Sequence, residues 1–357
     1  MRALRTRGAI GLTELAQETG LSRPTAEGIV DALSDSGWIV EEPAPAGQPG
    51  RPGRVYSLRA DGAYVLGIDI GSATVRAAVA DATGAVLAEQ TVAVDPSAGR
   101  DERLTATHST ALAAVAASGL SPEMLAAVCV GTTGTVSADG KVSLSDALPG
   151  WTGTDLAGSL GEIFSCPIRV ENDCHLAAAA EAWAGVAAGR SNLVYIHCGL
   201  RTGAGILIDG RVYRGAHGMS GEIGALRLLG WHRASAHLAG AHSHGAVDVF
   251  TRAAQGDPDA ERAVHGYASD LAEGIAALVL TLDPEVVVLG GGISGAGDRL
   301  VTPLRAALTE MCLTTPELAI SALGDRAVLT GSLKHAIDLF ESRLYDPDHP
   351  LIPAVAR

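Results

Sequence analysis

Residues 170–183 read VENDCHLAAAAEAW. Asn172 and Asp173 close an apolar strand and open an Ala-rich helix, where an amide beside a carboxylate is placed to hold a polar substrate and take a proton from it. Three other stretches end apolar strands in Gly-rich turns: YVLGIDIGSA with Asp69 and Gly71, LVYIHCGLRTGAG with Gly199, Arg201 and Gly203, and PEVVVLGGGIS with Gly291. Such turns bring bare backbone N–H groups up to a phosphate. Any tight turn uses Gly, so the order of all three is what points to a nucleotide cleft. Asp69 at its strand end is placed to hold Mg²⁺ through water, and it has structural explanations as well.

The elements around these residues come in two similar sets. Residues 64–90 predict strand, turn, strand, turn, strand, and residues 193–213 repeat that order with an Asp-Gly hairpin. The apolar stretch at 284–294 predicts a buried strand running into a helix over 298–310. The expected class is α/β: two similar lobes facing a cleft, an actin/hexokinase-like (ribonuclease H-like) ATPase-type fold.

Residues 1–61 read differently. A first helix is expected over about 2–8, then a helix from TELAQET with Thr13 as N-cap and Leu15–Ala16 on its apolar face. Gly20 ends that helix in the left-handed conformation. Ser22 caps the next, Pro24 falls in its first turn, and Ala26, Ile29, Val30 and Leu33 share one face. Trp38–Val40 and Arg54–Leu58 are expected to pair around a Pro/Gly loop carrying GRPGR. The order predicts a winged helix-turn-helix. The bland alternative is a small helical domain with a flexible linker. DNA contacts are expected from Ser22, Arg23 and Thr25 at the start of the second helix of the motif, and from Arg51 and Arg54 in the wing, whose narrow basic track suits a minor groove.

Composition limits the alternatives. The 357 residues are 47% hydrophobic and 18% charged, which describes a well-buried globular chain of two or three domains. Net charge is −14, but it is uneven: residues 1–61 carry seven Arg against eight acids, and residues 62–357 carry nineteen basic residues against thirty-two acids. The head is near neutral on an acidic body, so DNA would be met by a local patch. Five scattered Cys without a C-x-x-C pair argue for a reducing cytosol and against a disulfide framework or Cys-rich zinc site. No apolar run reaches the ~18 residues of a membrane span, and the expected location is cytoplasmic.

Taken together, GRPGR at 50–54, GIDIG at 67–71, LPGW at 148–151, END at 171–173, GRVYRGAHGMSGEIG at 210–224 and VVLGGGIS at 287–294 resemble the repressor, open reading frame, kinase (ROK) family of sugar kinases and sugar-responsive regulators. The resemblance spans essentially the whole chain. It implies a DNA-binding domain at 1–61, a first lobe at 62–185 to which a C-terminal helix at about 331–345 returns, and a second lobe at 186–330. In the family's kinases the Asp of END takes the proton from the attacking sugar hydroxyl, and its Asn neighbour and the Glu of GEIG bind sugar hydroxyls. Those roles fall on Asp173, Asn172 and Glu222. The bland alternatives are a helix cap for Asn172 or Asp173 and a surface acid for Glu222.

The chain also departs from the pattern. The family's GEIGH histidine is Ala225 here, and the following LRLLGWHRASAHLAGAHSHGAV lacks the three Cys of the structural zinc motif. His232, His237, His242 and His244 are spaced by five, five and two residues, which does not put them on one helix side. No metal is expected, and one of them remains a candidate to replace the lost sugar contact. The first phosphate loop has Ser72 and Ala73 for the family's Gly and Thr; the second has Leu200 and Arg201 for Thr and Gly. Leu200 is expected to obstruct the nucleotide, while Arg201 offers a charge to an anion.

The resulting expectation is a regulator, a repressor, without kinase activity or cofactor. Its ligand is a sugar or sugar phosphate, and its DNA partner is a palindromic operator bound by a homodimer or homotetramer. Lobe closure around Asn172, Asp173 and Glu222 would reach the head through residues near 56–66. The rivals are an ATP-dependent sugar kinase with an appended head, and a regulator that answers to a protein partner.

Overall fold

The computed structural model describes residues 1–43, 54–199, 201–241 and 246–344. The head contains α1 (Arg2–Arg7), β1 (Ile10–Gly11), α2 (Leu12–Thr19), α3 (Arg23–Asp35), β2 (Ile39–Pro43) and β3 (Arg54–Leu58). Its three strands pair in the order β1-β3-β2, with Ile39 opposite Leu58 and Ile10 opposite Tyr56. Gly20 ends α2 at φ 67°, and Ser22 caps α3 by accepting from the Thr25 amide at 3.3 Å. Two expectations fail here. Gly11, not Thr13, is the N-cap of α2, because the chain leaves β1 directly into the helix. Ile29 lies outside the apolar face of α3 and is 45% exposed; Ala26, Val30 and Leu33 already fill that face. The loop carrying Arg51 lies outside the described residues.

The body opens with β4 (Tyr64–Ile70), β5 (Thr74–Asp81), β6 (Val86–Ala93), α4 (Arg100–Ala117), β7 (Leu125–Thr132), β8 (Thr135–Val136), β9 (Val142–Leu144), α5 (Leu156–Gly161), β10 (Ile168–Asn172) and α6 (Asp173–Ala184). A sheet forms in the order β10-β7-β4-β5-β6, with β10, β7 and β4 parallel. It is followed by β11 (Leu193–His197), β12 (Gly203–Ile208), β13 (Arg211–Val212), α7 (Trp231–Ala234), α8 (Ala246–Ala254), α9 (Pro258–Leu282), β14 (Val286–Gly290), α10 (Asp298–Met311) and β15 (Leu318–Ile320). Their sheet runs β13-β12-β11-β14-β15. Each sheet is therefore an antiparallel three-strand meander extended by two parallel strands. The chain ends in α11 (Ala327–Leu344).

All seven residues of β4 are buried, as expected of a strand covered on both faces. Leu66, Ile68 and Ile70 face α4 and α5, while Val65 faces α11. In the second sheet Ile196, Val287 and Leu289 pack toward α9 and α10, and Tyr195 and Val288 face α6. Helices α6 and α11 pack on each other between the two sheets. They fit only because Gly supplies the close contacts: a Cβ on Gly205 would lie 2.0 Å from the Cys174 carbonyl oxygen, and one on Gly331 would lie 2.1 Å from that of Leu176.

The head is continuous with this core. Leu4, Trp38, Leu58, Leu333 and Phe340 belong to one buried cluster. Trp38 and Phe340 rings meet at 5.2 Å, and Arg5 Nη2 pairs with Glu341 Oε1 at 2.7 Å with both side chains about nine-tenths buried.

Candidate ligand cleft

The parallel register aligns Asp69, Gly131 and Glu171 across the first sheet. One residue later the chain turns into α6, so Asn172 ends β10 and Asp173 opens the helix. Asn172 caps α6: its Oδ1 accepts from the amides of Cys174 at 2.9 Å and His175 at 3.1 Å, and its Nδ2 donates to the Gly134 carbonyl at 2.9 Å. Little of its hydrogen-bonding capacity is left for a ligand. Asp173 is half-buried, and Oδ1 accepts from the Cys174 amide at 2.8 Å. Burial pushes its pKa up, opposed by His197 and by that amide. Glu222 is exposed, and its pKa is raised by partial burial of the carboxyl and then by the Asp173 charge.

Glu171, beside them, sits in a network that the sequence reading missed. It accepts from its neighbour's amide at 3.0 Å, from His175 Nδ1 at 3.0 Å and from Arg214 Nε at 2.5 Å. Burial raises its pKa, but these partners outweigh burial and hold it at about 2. The second His175 nitrogen faces the Ser220 carbonyl at 3.0 Å. Burial lowers the pKa of the ring, but the hydrogen bond and charge of Glu171 and the Ser220 carbonyl outweigh it and raise it above the ordinary value. These contacts tie α6 to the Arg214–Ser220 segment, which leads into Glu222.

The first Gly-rich turn is closed from within. The Gly71 amide donates to the Thr74 carbonyl at 2.9 Å. Behind that turn the buried Arg103 donates to the carbonyls of Gly71 at 2.7 Å, Ser72 at 3.1 Å and Asp95 at 3.2 Å. Arg76 Nη1 lies 3.5 Å from Asp69 Oδ2, while the same guanidinium holds Asp325 Oδ2 at 2.6 Å. Asp69 is carried up to about 7, chiefly by burial, with Arg76 opposing and the Asp173 charge adding to the rise. The His197 ring lies close to two turns: a Cβ on Gly199 would lie 3.0 Å from its Nε2, and one on Gly291 3.0 Å from its Cε1. Gly203 is required by packing, since a Cβ there would lie 2.8 Å from Cys174 Sγ. Arg201 is exposed. Leu200 lies outside the described residues.

The segment after Glu222 is anchored without a metal cluster among the described residues. Trp231 is buried and its Nε1 donates to the Leu271 carbonyl at 2.8 Å. Arg233 Nη2 and His237 Nε2 both meet Asp270 of α9 at 3.0 Å. His232 Nδ1 lies 2.9 Å from the Leu229 carbonyl; His242 and His244 lie outside the described residues. In the head, Ser22, Arg23 and Thr25 are exposed at the start of α3, with the Ser22 and Thr25 hydroxyls 2.7 Å apart. Arg54 is exposed and paired with Glu41 at 2.9 Å. No helix among the described residues is long and apolar enough to cross a membrane.

The sheets, the cleft and the head define a two-lobed actin/hexokinase-like body joined to a winged helix-turn-helix. Residues 65–242 and 232–338 match the ROK family, and residues 1–43 match the IclR helix-turn-helix domain. The chain belongs to the ROK family. It is 23% identical to the xylose repressor of Caldicellulosiruptor bescii over 92% of each chain. A solved ROK family transcriptional regulator, described as a homolog of the E. coli MLC protein, superposes with a TM-score of 0.74 at 22% identity over 95% of each chain. The ROK hexokinase of Thermus thermophilus matches 76% of this chain and 98% of its own, with a TM-score of 0.64 and 29% identity.

Proposed function

We propose that this protein is a DNA-binding transcriptional repressor whose ROK body takes a sugar-like ligand at Asp173 and Glu222 without phosphorylating it. The second half is supported by where three of the protein's own groups stand relative to the places that phosphoryl transfer needs open. Arg76 stands against Asp69 where a metal would be held, the Gly71 amide is spent on Thr74, and His197 stands close to Gly199 and Gly291. Phosphoryl transfer is mostly positioning and charge stabilisation, so a carboxylate without a positioned γ-phosphate is a hydrogen-bond acceptor and no more. Asp173 and Glu222 then accept from ligand hydroxyls, and Asn172 acts first as the cap that aims α6. The regulator half is supported by the exposed Ser22, Arg23 and Thr25 on a docked winged head and by similarity to a named repressor along nearly the whole chain.

Asp173 at the start of α6, with its raised pKa, also suits a catalytic base, and this favours the kinase as the second reading. A coupled assay with ATP and a panel of hexoses and pentoses separates the two. No turnover above background is expected. Turnover that disappears in Asp173→Asn would overturn the regulator-without-kinase reading. DNA selected in vitro against the full chain should bind with an affinity that falls steeply with salt, and Arg23→Ala should weaken it.

A further inference from the structure

We propose that Arg76 and Asp325 form a latch coupling the cleft to the DNA-binding head through α11. Arg76, on β5, reaches Asp69 on one side, and on the other donates to the Asp325 carbonyl at 2.9 Å and pairs with its carboxylate at 2.6 Å. Asp325 lies in the turn Gly324–Arg326 that leads directly into α11. The same region is held from two more directions. Arg326 pairs with Glu89 of β6. Glu181, near the end of α6 opposite Asn172 and Asp173, accepts from the Ser321 hydroxyl and, at 3.5 Å, from the Leu323 amide.

From this latch α11 runs along β4. Ser332 Oγ donates to the Ile68 carbonyl at 3.0 Å, next to Asp69, and Leu333 packs so closely on Gly67 that a Cβ there would lie 2.9 Å from it. Phe340 and Glu341 then meet Trp38 and Arg5 of the head. A helix rises about 1.5 Å per residue, so roughly 20 Å separates the first turn from the docking end. The helix is stiff over that distance, and a change in how the first turn is held alters the angle at which the last turn presents Phe340 and Glu341. The coupling is a free energy and is reciprocal: loosening the head must loosen the cleft. It is a property of the chain alone, so its test needs neither operator nor ligand, and it can fail while the regulator reading stands.

The test is hydrogen–deuterium exchange on the full-length protein. Asp325→Asn is the primary variant, because a side chain 75% exposed is not needed for folding; Arg76→Gln is the second. Each is expected to speed exchange of peptides within residues 1–43 about threefold, which corresponds to about 0.7 kcal/mol, and the double variant to add little to Arg76→Gln, which has already removed the partner of the Asp325 carboxylate. Glu341→Gln should in turn speed exchange around residues 66–76, and Phe340→Leu gives the same reading if Glu341→Gln folds poorly. Acceleration confined to residues 320–333, with head peptides at the wild-type rate, is what a purely local role produces and would overturn the latch. So would additive effects in the double variant.

Discussion

Replacing Asp69 by Asn should make the protein more stable at neutral and alkaline pH. Asp69 is 7% exposed. Its cation, Arg76, is 3.5 Å away and committed more closely to Asp325. Burial therefore carries the carboxyl from 3.8 to about 7. Between those two values the folded protein holds a proton that the unfolded chain releases. Stability from this group is present at low pH and falls as pH rises, by about 1.4 kcal/mol per unit while the difference in bound protons is complete. Integrated over the window the loss is about 4 kcal/mol at most, and relaxation of the site brings the expected figure to about 2–4 kcal/mol. Asn has nearly the same shape and no charge to desolvate. Urea unfolding followed by circular dichroism at pH 4 and pH 8 is the assay. The variant should match the wild type at pH 4 and exceed it by that amount at pH 8. A difference that stays flat with pH, or a less stable variant at pH 8, would show that Arg76 fully compensates the charge and would refute the reasoning.

Glu171→Gln should act in the opposite direction. It removes the charge from a carboxylate 3% exposed, leaves His175 and Arg214 without it, and should lower stability by about 3 kcal/mol near neutral pH in thermal unfolding. Because Glu171 is depressed from 4.5 to about 2, its contribution is full above pH 4.5 and is lost as pH falls through that range, so the variant should lack this part of the wild-type acid transition. Asp270→Asn should destabilise by about 1–2 kcal/mol by releasing Arg233 and His237, whereas a chelator should leave the wild-type melting temperature unchanged.

Local signals were legible where local chemistry decides. Gly20, Ser22 and Pro24 punctuate the head because turn and cap preferences are properties of single residues. The two strand–turn–strand sets were visible because their apolar runs are bounded by Gly. Thr13 was misread because the strand before α2 runs straight into it, so that Gly11 takes the cap position. Ile29 was misread because the 3.6 period places it at the margin of a face three other residues fill. Arg76, Arg103 and His197 carried no motif. Their roles arise from what other segments bring to them, as Arg103 shows by serving carbonyls on a turn about thirty residues earlier.

The sequence by itself determined the family, the α/β class and the winged head, since each rests on residue types at fixed short spacings. Tertiary structure decided what those residues are free to do. It tied the Asn172 amide to the Gly134 carbonyl, set an imidazole close to two glycine turns and put an arginine against Asp69. It also joined Arg5 to Glu341, 336 positions apart. Spacing along a chain records which backbone conformations are available, but the partner of a buried charge is chosen by the desolvation penalty it must escape, and that penalty exists only once the chain has folded.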